Sequence, residues 1–134
     1  MPFPDRDHGV TLVDLLAGAD VGSVVSLISD DVAFSSPVAE YRGRADVVHL
    51  LGCIARVLSD LVPTGESSDG VSRLTTLTAQ VGEHPVEGVL REHHDGAGQL
   101  THATLFLRPY GALRAAIKEM SKLLAETPLP SSRQ

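Results

Sequence analysis

The sequence holds a single cysteine, Cys53, so no internal disulfide can form, which fits a reducing cytoplasm. Cys53 lies among apolar residues of a helical stretch and reads as a small core residue, since a catalytic thiol needs a nearby base. Nowhere do lysine and arginine cluster: 11 of them stand against 17 Asp and Glu, for a net charge of -6. A phosphate backbone would be repelled, which argues against a nucleic-acid partner. No apolar run approaches the roughly 20 residues that cross a bilayer, so no membrane span is expected. The opening Met1-Pro2-Phe3-Pro4-Asp5-Arg6-Asp7 is too polar and too proline-rich to read as a signal peptide.

What remains is ordinary globular material, 134 residues with 43% hydrophobic and 21% charged, enough for one domain over residues 1–134. Residues 10–16 have helical periodicity, and residues 21–29 repeat it, with Asp20 placed to cap the second helix. Residues 32–36 read as a strand stopped by Pro37. Residues 44–59 form the longest helix of the first half, because Val47, Leu51, Ile54 and Leu58 recur at spacings that keep them on one face. The polar stretch 63–70 is rich in turn residues, and propensity does not choose between a loop and a short strand. Strands follow at 74–81, 86–94 and 99–108, joined by turns at Gly82-Glu83-His84-Pro85 and Asp95-Gly96-Ala97-Gly98. Pro109 opens a helix over 110–125, and residues 1–8 and 127–134 are expected to fray. Helices first and a strand meander afterwards argue α+β.

Pairing the last hairpin through its turn sets His94 opposite Gln99, Glu92 opposite Thr101, Leu90 opposite Ala103 and Gly88 opposite Leu105. Alternation then gathers Val86, Gly88, Leu90, Glu92, Thr101, Ala103, Leu105 and Leu107 on the face suited to a concave interior. The other face carries Glu87, Arg91, His93, His102 and Thr104 together with Val89, Leu100 and Phe106. That apolar trio is expected to be covered in a homodimer joined through the outer sheet face.

The run Asp30-Asp31-Val32-Ala33-Phe34-Ser35-Ser36-Pro37-Val38, then Tyr41-Arg42-Gly43-Arg44 and a helix, resembles the SnoaL-like branch of the NTF2-like superfamily. So does Asp95-Gly96-Ala97-Gly98-Gln99-Leu100 followed by a strand ending Leu107-Arg108-Pro109. The resemblance covers roughly residues 10–108 and implies a cone: N-terminal helices packed on a curved antiparallel sheet, with a C-terminal helix. It says little about function, because this superfamily holds isomerases, cyclases, epoxide hydrolases and non-enzymatic binders. Ketosteroid isomerases place their general base just before the proline of the first strand, a position that falls on Ser36. Their oxyanion-hole tyrosine falls on Leu12 and their proton-donating aspartate on Leu90. A hydroxyl is no resting base near neutral pH, and leucine donates no hydrogen bond. Limonene epoxide hydrolases and polyketide cyclases carry an acid on the strand matching residues 99–108, which here has neither Asp nor Glu.

The function expected is therefore binding of an apolar small molecule, such as a polyketide-like or isoprenoid ligand, in the cone. Its lining set is Leu12, Phe34, Ser36, Leu51, Ile54, Leu90, Ala103 and Leu105, with no cofactor and no metal. The alternatives are a SnoaL-type isomerase, cyclase or hydrolase using Ser36, His49 or Glu92, and a structural dimerisation module with a collapsed pocket. Glu92 becomes the best acid or base if it is enclosed, and His49 could point inward to couple with Ser36. Glu92-His93-His94-Asp95 invites a metal, yet alternation sends His93 away from Glu92 and His94, leaving His102, diagonal to His93, as a further donor. Tyr41-Arg42-Gly43-Arg44 either holds an anion at a helix N-terminus or simply starts that helix. Lys118, Glu119 and Lys122 read as a solvated helix face.

Overall fold

A computed structural model describes residues 12–17 and 25–132. Helix α1 (Leu12–Leu16) is followed, after residues outside that description, by a 3-10 turn at Val25–Leu27. Strands β1 (Ile28–Ser35) and β2 (Glu40–Arg42) lead into helix α2 (Arg44–Val57). Four longer strands then run in succession: β3 (Ser59–Ser68), β4 (Ser72–Val81), β5 (His84–His94) and β6 (Leu100–Arg108). Helix α3 (Tyr110–Glu126) and a 3-10 turn at Pro130–Ser132 close the chain. The six strands make one curved sheet in the order β2-β1-β6-β5-β4-β3, an α+β architecture.

Three differences from the sequence reading have physical causes. The expected second helix extends too far: of residues 21–29, the described part is a short 3-10 turn that gives way to β1 at Ile28. Its proposed cap, Asp20, lies outside the described residues, as do 1–8. The sheet is mixed rather than antiparallel, because β1 runs parallel to β6, with Phe34 beside Ala103 and Ser35 beside Thr104. And residues 59–68 form a full strand. Pro63 and Gly65 are tolerated there because β3 is the last strand of the sheet, and its ladder shifts register around both.

The register of the last hairpin also differs. Leu90 faces Leu105, Glu92 faces Ala103 and Gly88 faces Leu107, a slip of two residues from the expected pairing. One residue of the slip goes into the turn. Asp95 accepts hydrogen bonds at Oδ1 from the backbone of Ala97 and Gln99, and its own N–H donates to the Gln99 carbonyl, so the loop takes five residues. The second goes into a bulge that skips Thr101, between the pairs His93–His102 and His94–Leu100. Two slips restore the alternation, so Val86, Leu90, Glu92, Ala103 and Leu105 are all buried on the inner face. Leu100, expected outside, lies between the two slips and so faces the interior, where it is 3% exposed. Together the slips set His102 directly across from His93 instead of on the diagonal.

The inner face packs on one continuous apolar core. Leu12, Leu15 and Leu16 of α1, Val47, Leu50, Leu51 and Ile54 of α2, and Phe34, Leu77, Leu90 and Leu105 of the sheet form its centre. Cys53 is buried within the same layer. Helix α3 is amphipathic, with Leu113, Ala116, Met120 and Leu124 at helical spacing, and it lays that side against α2 and the sheet. Beyond α3 the chain folds back onto α2. The His49 imidazole donates from Nε2 to the Thr127 carbonyl at 2.7 Å, and Asp46 accepts the Ser131 N–H at 2.9 Å and its hydroxyl at 2.5 Å. Leu129 joins the core from this returning segment.

Candidate functional site

Between α2, α3, β6 and the turn after β1 lies a pocket of about 140 Å³. Leu50, Ile54, Val57 and Leu58 line one wall, Leu105 and Leu107 the floor, and Leu113, Ala116, Ile117, Met120 and Leu124 the wall from α3. Ser36, Pro37, Val38 and Tyr41 stand at the side near β1, with Ser121 as the remaining polar residue. Among the described residues, the lining contains no carboxylate, imidazole, lysine or arginine. On the α3 side the wall includes the small residue Ala116. Gly88 complements it beneath Leu107: a Cβ added at Gly88 would stand 2.9 Å from Leu107 Cδ2 and 3.0 Å from the Phe106 carbonyl oxygen.

Of the eight residues read from the sequence as pocket lining, Ser36, Ile54 and Leu105 occupy that position. Leu12, Phe34, Leu51, Leu90 and Ala103 are core residues, at most 5% exposed, and do not line this pocket. The wall the sequence reading missed is α3. Its apolar stripe was visible in the spacing of Leu113, Ala116, Met120 and Leu124, but nothing in the sequence says where a C-terminal helix docks.

The three candidate catalytic side chains do not come together. Ser36 organises its own turn: its hydroxyl donates to the Ala39 carbonyl at 3.0 Å and accepts the N–H of Val38 and of Ala39. His49, expected to couple with Ser36, is instead held by the Thr127 carbonyl, and because a carbonyl only accepts, Nε2 carries the proton. Glu92 is enclosed, 2% exposed on the inner face. It lies towards the other end of β5, however, and is not part of the pocket.

Glu92 Oε1 is 3.7 Å from His94 Nε2, and Arg73, directly across on β4, forms an ion pair with Glu66 at 3.1 Å. Burial, and after it the charge of Arg73, lowers the pKa of His94 below its ordinary 6.5. A neutral imidazole at 3.7 Å is no ion pair, so the Glu92–His94 contact is a polar neighbourhood rather than a charged bridge. His93 points to the opposite face with His102, away from both.

The turn Tyr41-Arg42-Gly43-Arg44 starts α2, with Gly43 at φ 93° where a side chain would be strained. Arg44 is committed to structure, bonding the Ile28 carbonyl at 3.0 Å and Asp30 at 2.5 Å. It is not turned to a ligand at the helix end. Lys122 and Glu119 form an exposed pair on α3.

No family model matches the sequence, nor does any curated protein. Solved structures do. A bacterial protein with a cystatin-like fold from Silicibacter pomeroyi superposes with a TM-score of 0.80 at 21% identity, over 87% of this chain and 82% of its own. A steroid delta-isomerase from Pseudomonas aeruginosa gives 0.78 at 28% identity, over 86% and 85%. A SnoaL-like isomerase from Agrobacterium tumefaciens gives 0.61 at 11% identity, over 72% and 91%. The fold is therefore that of the NTF2-like, SnoaL-like and ketosteroid isomerase-like proteins. No helix of the described residues is long and apolar enough to cross a membrane.

Proposed function

We propose that this protein binds a small apolar molecule in the pocket between α2, α3 and β6 and does no acid–base chemistry on it. One observation carries the reading: among the described residues, the lining combines apolar walls from three elements with no titratable side chain except the Tyr41 phenol. Proton transfer to or from a bound molecule needs an acid or base within hydrogen-bond reach, about 2.6–3.2 Å. Glu92, His94 and His49 all lie outside the lining.

The volume narrows the ligand. Drug-sized pockets measure roughly 300–1,000 Å³, and a dry apolar cavity of about 150 Å³ accepts benzene. At about 140 Å³ the pocket accommodates one ring or a short branched chain, not four fused rings. The lining is apolar enough that burial of the ligand's surface is the main driving force.

The likeness to a steroid delta-isomerase at 28% identity supports a second reading, an isomerase that works through the enclosed Glu92. The two readings part in one experiment. Toluene titrated into isotope-labelled protein is expected to shift the signals of Ile54, Leu105, Ala116 and Met120 saturably, with a Kd of about 1 mM or tighter. A β,γ-unsaturated ketosteroid is expected to show no turnover above background. Toluene shifts that scatter over the surface, or steroid turnover abolished by Glu92→Gln, would transfer the function to the second reading. The homodimer through Val89 and Phe106 belongs to the same proposal, now without Leu100, which faces inward.

A further inference from the structure

On the outer face of the sheet, in the rows next to the Val89–Phe106 pair proposed above as the dimer seam, is a hollow of about 300 Å³ lined by Ser72, Arg91, His93, His102 and Thr104. Three strands build it. His93 of β5 faces His102 of β6 on one side and Ser72 of β4 on the other, and Arg91 faces Thr104 in the next row. The bulge at Thr101 makes this possible, because with the same turn and no bulge His102 would pair with Glu92 and face the core.

Each imidazole is held by a hydroxyl: His93 Nδ1 lies 3.2 Å from Ser72 Oγ, and His102 Nε2 lies 3.2 Å from Ser35 Oγ. These bonds orient both rings and leave His93 Nε2 and His102 Nδ1 available. Where the His93 ring N–H donates to Ser72, that hydroxyl's own proton is left to point onward, whereas the Ser35 hydroxyl donates to Glu40. Arg91 stacks over the Phe106 ring, 5.8 Å to its centre, and among the described residues makes no ion pair. Arg44, Arg73 and Arg108 are each matched to a carboxylate, whereas Arg91, like Arg42, Arg56 and Arg114, forms no such pair among the described residues.

We infer that this hollow binds a small oxyanion, with a phosphoryl group as the head it favours. Every lining side chain is able to donate a hydrogen bond, one carries a permanent charge, and none is a carboxylate. That composition is unusual in a chain of net charge -6. It also decides against a metal ion: two imidazoles would serve as ligands, but the Arg91 charge opposes a cation and no carboxylate offsets it. The nearest acidic groups stand outside the lining. Glu40 accepts from the Ser35 hydroxyl at 3.5 Å, and the Asp69 carboxylate, which accepts the backbone N–H of Val71 and Ser72, also attracts His93 electrostatically. An arginine fork beside hydroxyl and imidazole donors matches the several acceptor oxygens of a phosphoryl group. At about 30 Å³ of liquid volume per water, the hollow has room for that group and a short attached chain.

The test is a titration of isotope-labelled protein with inorganic phosphate, ionic strength held constant with sodium chloride. The amide signals of Arg91, His93, His102 and Thr104 are expected to move together and saturate, with a Kd of about 1 mM. Signals of the apolar pocket stay still, which separates this site from the one proposed above. Arg91→Gln is expected to weaken phosphate at least tenfold, and His93→Gln and His102→Gln each several-fold. All three positions are on the outer face, and thermal melts check that the variants remain folded. Glycerol 2-phosphate is expected to bind as tightly as phosphate or better, and acetate at least tenfold more weakly. Shifts that never saturate, that sodium chloride alone reproduces, or that survive Arg91→Gln overturn the site. Acetate binding equal to phosphate overturns the choice of head group.

Discussion

Ala116→Leu asks whether the apolar pocket is real space. Ala116 is 6% exposed, lies mid-way along α3 and forms part of the pocket wall. Leucine adds three carbons, worth about 0.8 kcal/mol each when buried, or about 2.4 kcal/mol in all. Ordering the longer side chain costs about 0.5–1 kcal/mol. The net is a stabilisation of about 1.5 kcal/mol if the pocket accepts the new atoms without strain. An independent ceiling comes from volume: at about 24 cal/mol per Å³, filling 140 Å³ completely is worth about 3 kcal/mol. A close-packed wall predicts the opposite sign, because forcing extra carbons into a filled core costs about 1–3 kcal/mol. Urea unfolding of the ligand-free protein measures that sign. The same variant is expected to bind toluene at least tenfold more weakly, since leucine and ligand compete for one volume. Destabilisation by more than about 1 kcal/mol, or toluene binding that does not change, would refute the reasoning.

Other expectations are checked as directly. Gly88→Ala puts a methyl group against Leu107 and the Phe106 carbonyl and is expected to cost about 1–3 kcal/mol in urea unfolding. The pKa of His94 is lowered on folding, so the unfolded chain binds the extra proton first; stability is expected to fall as pH drops below about 6.5. In His94→Gln that part of the loss between pH 7 and pH 5 should vanish, as read from urea midpoints. Asp46→Ala removes both bonds to Ser131 and is expected to speed amide exchange at Ser131, with a stability cost of about 1 kcal/mol. Light scattering at micromolar concentration is expected to show a dimer for the natural sequence and a monomer for Phe106→Glu.

The α+β class and the inner face of β5 and β6 were legible because alternation depends only on parity, and two compensating slips leave parity intact. Leu100 was misplaced because it falls between those slips. Strand β3 was left open because Pro63 and Gly65 are poor strand residues in isolation, and only its place at the sheet edge makes them acceptable. The parallel pairing of β1 with β6 left no local trace, being a contact between distant segments. The inward face of Glu92 was legible from alternation, but its enclosure was left open, because a place near the hairpin end is equally compatible with a solvated rim. Whether it reached the pocket depended on the docking of α3, which the spacing of its own apolar residues does not specify.

The place of β6 has a consequence for how the protein is made. This strand is the last to be synthesised, yet it sits in the middle of the sheet, with β1 on one side and β5 on the other. Ser35 meets His102 across 67 residues of chain. At about 5–20 residues per second, β1 and β2 therefore wait several seconds on the ribosome before their parallel neighbour emerges. Until then the only partners of β1 are β2 and the helix layer, and the parallel ladder does not exist. A chain stopped in the turn at Asp95 would retain β3 to β5 as a meander but would leave β1 and β2 without a sheet to join.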